Sequence, residues 1–191
     1  MKTSSLLIIA FVLLSSVPAS ALGQDQKAAA PKASRFLKTK FDRGKNITTV
    51  TMKTINLSGS MAKEVGNLTE IPQLDLEGYF SYAGDQFNQP VDAATLTFKT
   101  FSKYPVYQRE QNVLGVLNDE SALILGSTQY KANSRTFGFE EVLTISIPFD
   151  AMQKIGGAKS FKFILGQREI RFREKELEPL RELAKAMNPD S

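Results

Sequence analysis

The chain has 191 residues and a formal net charge of +4, with no cysteine, no histidine and no tryptophan. Lacking imidazole and thiol, it cannot build a Ser-His-Asp triad, a thiol nucleophile, a disulfide, a zinc finger or an iron–sulfur site. Chemistry is left to carboxylates, Lys, Tyr and Ser/Thr, and the length suits one domain with a substantial core.

The N-terminus reads as a targeting segment. Lys2 supplies a positive start, Leu6 to Leu14 (LLIIAFVLL) is apolar throughout, and Ser15-Ser16-Val17-Pro18 breaks the run. Ala19-Ser20-Ala21 then offers the small-x-small pattern that a signal peptidase accepts, so a signal peptide is predicted over residues 1–21. The expectation is an exported protein, periplasmic or extracellular. The apolar run, rising about 1.5 Å per residue, is too short for a hydrocarbon core of about 30 Å, and no transmembrane anchor is expected. With no cysteine there is no lipid attachment either. Sequons at Asn46, Asn56 and Asn67 matter only in a eukaryotic secretory pathway and are read here as chance in a Thr-rich region.

Residues 22–34 (LGQDQKAAAPKAS) lack apolar periodicity and are expected to be a disordered spacer, leaving 35–191 as a single domain. The charge is uneven. Between Lys27 and Lys53 lie eight basic residues and one acid, Asp42, so the stretch carries +7. Beyond the signal peptide the chain carries +3, so everything outside the stretch amounts to −4. A basic arm on a mildly acidic body attracts polyanions, and Lys38, Lys40, Arg43 and Lys45 are the candidate contacts for an anionic surface. The plainer reading, which is preferred, is a linker feeding a Lys-decorated edge strand that resists edge-to-edge pairing. Nucleic acid is not expected, because only Phe36 and Phe41 interleave the charges.

The body reads as strands. Residues 46–57 are rich in β-branched side chains. Residues 73–82 alternate, with Leu74, Leu76, Phe80 and Tyr82 on one side and Asp75, Glu77, Tyr79 and Ser81 on the other. In 93–102, Leu96 and Phe98 oppose Thr95, Thr97 and Lys99. Residues 113–117 and 122–126 flank the polar connection Asn118-Asp119-Glu120-Ser121, a hairpin pattern. Residues 139–149 place Leu143, Ile145, Ile147 and Phe149 in one buried row. Asp150 then reads as the N-cap of a short helical turn, Ala151 to Ile155, closed by Gly156-Gly157. Strands at 160–165 and 169–173 follow. Leu177, Leu180, Leu183, Ala184 and Met187 share one helical face, and because Pro179 suits a first turn the helix is predicted over 177–187. Together these elements predict an all-β fold, an antiparallel β-sandwich with a C-terminal amphipathic helix packed against it. A β-barrel with a lid helix is the alternative.

The segment Phe163-Ile-Leu-Gly-Gln-Arg-Glu-Ile-Arg-Phe-Arg, followed by Leu177-Glu-Pro-Leu-Arg-Glu-Leu-Ala, resembles a loose group of uncharacterised exported bacterial proteins. In these a β-rich body ends in a Leu-Gly-x-x-Glu hairpin and a Leu-Arg-x-Leu-Ala helix. The stretch Leu143 to Ile155 fits the same group, and the resemblance spans roughly Lys40 to Met187. It implies a bacterial origin and this fold. It implies no catalytic residue.

Two acidic pairs are the candidates for hydrolytic chemistry. Asp119-Glu120 falls in a turn, where Asp is a turn former, and Glu140-Glu141 are strand neighbours that point to opposite faces. No Gly-x-Ser-x-Gly elbow or Gly-rich phosphate cradle occurs, and no metal or cofactor is expected. Tyr104 and Tyr107, bracketing Pro105-Val106 beside Arg109, are the candidate ligand-stacking residues, with rim packing as the plainer reading. The sequence therefore points to an exported, non-catalytic binding or interaction protein of the bacterial envelope, its partner an envelope protein or a polysaccharide. A carboxylate-dependent hydrolase of envelope or extracellular glycans is one alternative. Tethering to anionic surfaces by the basic arm is another.

Overall fold

A computed structural model describes residues 34–58, 73–108, 112–118, 121–165 and 168–188. The predicted signal peptide, the spacer up to residue 33 and the sequon at Asn67 lie outside them. In chain order the elements are β1 (Leu37–Asp42), β2 (Ile47–Met52), β3 (Ile55–Asn56), β4 (Gln73–Ala83), β5 (Ala93–Ser102), β6 (Asn112–Leu117), β7 (Ser121–Ser127), β8 (Gln129–Arg135) and β9 (Gly138–Pro148). They continue with α1 (Phe149–Gly157), β10 (Phe161–Leu165), β11 (Arg168–Arg171) and α2 (Glu174–Ala186).

Among the described residues every strand pairing is antiparallel. The larger sheet runs β1-β2-β4-β5-β9-β8, with β3 pairing on β4, and the smaller runs β11-β10-β6-β7. This is the expected sandwich with a C-terminal helix; the sheets stay open and form no barrel. The long central strands obey the period of two that the sequence displays. On β4, Leu74, Leu76 and Phe80 are buried; on β5, Ala94, Leu96 and Phe98; on β9, Leu143, Ile145 and Ile147. Register puts Leu96 opposite Ile145 and Phe98 opposite Leu143, so these side chains form one apolar inner face. Phe163 of β10 reaches it from the other sheet, meeting the Phe98 ring edge-on at 5.1 Å between centroids. Phe161 and Phe163 of β10 and Phe172, just past β11, continue the aromatic contact. Each fully buried side chain of this size contributes roughly 1.5–3 kcal/mol, and this layer is the main source of cohesion.

The rest of the inner face lies under the helices. α2 packs on β1, β2 and β4, and α1 packs on α2, β5 and β9. Leu183 of α2 converges with Met52 and Leu96 over Gly78, where an added Cβ would meet all three at 2.9–3.0 Å. The two helices touch as closely: a Cβ on Gly156 would lie 2.7 Å from Ala184 Cβ. The connection after β4 is closed by Phe87, buried against Phe80 and Tyr82, and by Val91 N donating to Met187 O at 3.1 Å.

Several local expectations change. The strand read over 46–57 is two strands; the chain breaks at Lys53, whose N–H donates to Phe36 O at 2.7 Å. Asp150 is not an N-cap: α1 starts one residue earlier, Pro148 holds the cap position without a side-chain bond, and Asp150 lies in the first turn, where its charge suits the helix dipole. Phe149 accordingly belongs to α1 and is only half-buried. The C-terminal helix begins at Glu174 rather than near Leu177. Its extra turn is held by the reverse half of a capping box: the buried Glu176 carboxylate accepts from Arg173 N at 2.8 Å and from its guanidinium Nε at 2.6 Å. Pro179 lies inside this helix.

Candidate functional site

The outer face of the larger sheet is mostly polar, with Tyr79 and Val142 among its outward side chains and Phe101 near the end of β5. Strand parity turns Phe101 outward with Thr97 and Lys99, and its ring is 44% exposed. Gln73 on β4 and Glu140 on β9 stand directly opposite it. Around the ring is an open depression of about 270 Å³ lined by Gln73, Asp75, Lys99, Thr100, Phe101, Arg135 and Glu140. Its polar groups are held in place by one another. Asp75 accepts from Asn56 Nδ2 at 2.8 Å and from Gln73 Nε2 at 2.9 Å, and Lys99 Nζ donates to Glu77 at 2.7 Å. Arg135 donates to Glu140 through Nε and Nη2. The hydrogen bonds from Arg135, followed by its charge, hold the Glu140 carboxyl below the usual carboxylate range.

Two segments meet at this end of the sheet. Gly138, with φ +154°, presses against the end of β5, and an added Cβ would lie 2.5 Å from Ser102 O. Phe137, in the turn before it, is 86% exposed. Beyond Ser102, whose hydroxyl donates to Tyr104 O at 2.6 Å, the Tyr104 ring is 68% exposed with Lys103 Nζ 5.6 Å from its centroid. Phe101, Phe137 and Tyr104 thus bring three exposed aromatic rings to one end of the sandwich.

The segment carrying Tyr104 is anchored from inside. Glu141 is 0% exposed and accepts three hydrogen bonds: from Val106 N at 2.8 Å, Tyr107 N at 2.9 Å and Tyr130 Oη at 3.0 Å. Three donors satisfy a carboxylate that would otherwise be costly to bury. Burial, followed by the hydrogen bond to Glu141 and its charge, pushes the Tyr130 phenol up to about 12. Tyr107 follows its amide inward. Its ring is fully buried, with the Arg168 guanidinium 5.4 Å from the ring centroid.

The predicted stacking set therefore does not form one surface. Tyr104 points out and Tyr107 belongs to the core, because the two amides captured by Glu141 turn the chain between them; Arg109 lies outside the described residues. Phe101 and Phe137 were not singled out from sequence. The usable signal was Phe101 sharing parity with Lys99, an aromatic on the polar face of an alternating strand.

Among the acidic pairs, Glu140 and Glu141 do face opposite ways, and Asp119-Glu120 lies outside the described residues. Among the described residues no three acidic side chains are grouped as metal ligands, and no helix is long and apolar enough to cross a membrane. Lys38, Lys40, Arg43 and Lys45 are all exposed, the first two on β1 and the others in the turn into β2. No protein-family model, curated protein or solved structure matches this chain.

Proposed function

We propose that the protein is an exported, non-catalytic binding protein of the bacterial envelope, and that its ligand is a polysaccharide segment held on the outer face of the larger sheet. The observation that carries this reading is the exposed Phe101 ring inside a depression walled by Gln73, Asp75, Lys99, Arg135 and Glu140. A sugar ring offers an apolar C–H face and a rim of hydroxyls. An aromatic ring suits the first, and carboxylates, carboxamide and guanidinium suit the second. Tyr104 and Phe137 are exposed at the same end of the sandwich and offer further aromatic surface there. The envelope setting rests on Lys2, the Leu6–Leu14 run and the Ala19-Ser20-Ala21 pattern.

Hydrolysis fits the same depression less well. A general acid needs a carboxyl kept protonated near neutrality, whereas Arg135 shifts Glu140 the opposite way. The test is retention of the protein on envelope polysaccharide fractions. Phe101→Ala should weaken retention about tenfold, the order expected for losing a stacking ring, with an unchanged denaturation midpoint. Retention equal to that of the parent chain, or release of new reducing ends from the glycan, would overturn the reading.

A further inference from the structure

The hairpin of β1 and β2 combines charge with exposed apolar surface. Arg35, Lys38, Lys40, Arg43, Lys45 and Lys53 are all exposed, and none makes an ion pair among the described residues. The acid among them, Asp42, turns Oδ1 to the amides of Gly44 and Lys45 at 3.0 and 3.2 Å. Many cations elsewhere are paired, Lys99 with Glu77, Lys162 and Arg171 with Glu169, Arg173 with Glu176, and Arg181 with Glu174 and Glu178. Lys103, Lys131, Lys154, Lys159 and Lys175 are exposed without an ion pair among the described residues but lie scattered along the chain, whereas the hairpin gathers its six within nineteen residues.

The tip of the hairpin adds two apolar side chains. Phe41 stands opposite Thr48, and Ile47 stands opposite Asp42, so they project from the two faces of the ribbon; both are exposed. Arg43 and Lys45 occupy the turn between them, while Lys38 and Lys40 line the outer face opposite Thr51 and Thr49. A soluble polyanion would engage the charges and leave Phe41 and Ile47 in water. The interface of a bilayer accepts apolar side chains at the headgroup–acyl boundary and basic ones at the phosphates.

We propose that the β1–β2 hairpin tip docks on an anionic phospholipid surface, with Phe41 and Ile47 entering the interface and Lys38, Lys40, Arg43 and Lys45 engaging the phosphates. The docking is peripheral and reversible. It orients the outer face of the larger sheet relative to the membrane and does not depend on what that face binds.

The experiment is co-sedimentation of the protein from Leu22 onward, as the predicted signal peptidase leaves it, with phosphatidylcholine vesicles, with and without phosphatidylglycerol, over a series of salt concentrations. Parent and variants all start at Leu22, so the apolar run Leu6–Leu14 takes no part in binding. Binding should require phosphatidylglycerol and fall as salt rises. At about fivefold per basic side chain, Lys38→Gln/Lys40→Gln/Arg43→Gln/Lys45→Gln should lose on the order of a hundredfold or more. Phe41→Ser/Ile47→Ser should lose roughly tenfold at constant salt. Because the chain has no tryptophan, Phe41→Trp supplies a single indole whose emission should shift to the blue on phosphatidylglycerol vesicles. Failure of the parent to bind, full binding by the charge variant, or an indole that stays in water would overturn the proposal. So would a Phe41→Ser/Ile47→Ser protein that binds as well as the parent, since that result assigns the charges to a soluble polyanion.

Discussion

Glu140 and Glu141 share a peptide bond, yet their carboxylates lie on opposite faces of the larger sheet: one meets Arg135 in solvent, the other meets the amides of Val106 and Tyr107 in the core. Removing the two charges should therefore have unequal consequences. Glu141→Gln keeps the shape but replaces one acceptor oxygen by a donor that faces another donor. The expected loss is about 1.5–3 kcal/mol in urea denaturation, the range for buried hydrogen bonds to a charged group. Glu140→Gln should leave the midpoint nearly unmoved, as exposed ion pairs contribute little. Equal effects from the two substitutions would remove Glu141 as the anchor of residues 103–108.

Tyr130 gives that anchor a pH dependence. An unfolded tyrosine ionises near 10.0, whereas Tyr130 in the fold keeps its proton until about 12. The fold thus prefers the neutral phenol. That contribution is complete below pH 10 and is lost as pH rises through 12. Denaturation midpoints measured across this window should fall less steeply for Tyr130→Phe than for the parent chain. Phenolate absorbance should show tyrosines titrating late, Tyr82 among them because burial raises it, and Tyr130→Phe should remove one of them. Identical slopes for the two proteins would contradict the assignment.

The contact between α1 and α2 predicts a reversal of the usual helix preference. Alanine is favoured over glycine inside a helix by about 1 kcal/mol. At position 156 the new methyl would lie 2.7 Å from Ala184 Cβ, which is fixed to a helix backbone and cannot swing aside. Separating the helices should outweigh the propensity gain, giving a net cost of about 1–3 kcal/mol for Gly156→Ala. A rise in melting temperature would show that the helices are free to part.

The strands legible in the sequence were those with both faces defined. β4, β5 and β9 alternate because one side meets the core and the other meets water, and their observed bounds differ from the expected ones by at most one residue. β8 was not singled out. It is an edge strand with only Tyr130 half-buried, so burial imprints no alternation on it. β1 was anticipated as a Lys-decorated edge, and charge was the readable signal there. The start of α2 was hidden because the capping pair is Arg173 and Glu176, and arginine is not a residue whose type announces a helix start. At the candidate site the difficulty was different. Whether an aromatic faces solvent depends on which strands flank it, and the β4-β5-β9 order is set by long-range pairing. Tyr107 shows the same limit: a buried acid 34 residues later in the chain turns it inward.

Leu183 meeting Met52 and Leu96 over Gly78 also bears on the order of events during synthesis. The inner wall of β1, β2 and β4 is made early, but the helix that covers it is made after every strand of both sheets. Until residues 177–187 have been made, Met52 and Leu96 lack the cover of Leu183, and the first-made strands cannot complete their packing. Packing of the N-terminal strands is therefore completed only when the last helix is available, and the sandwich folds as one unit rather than strand by strand.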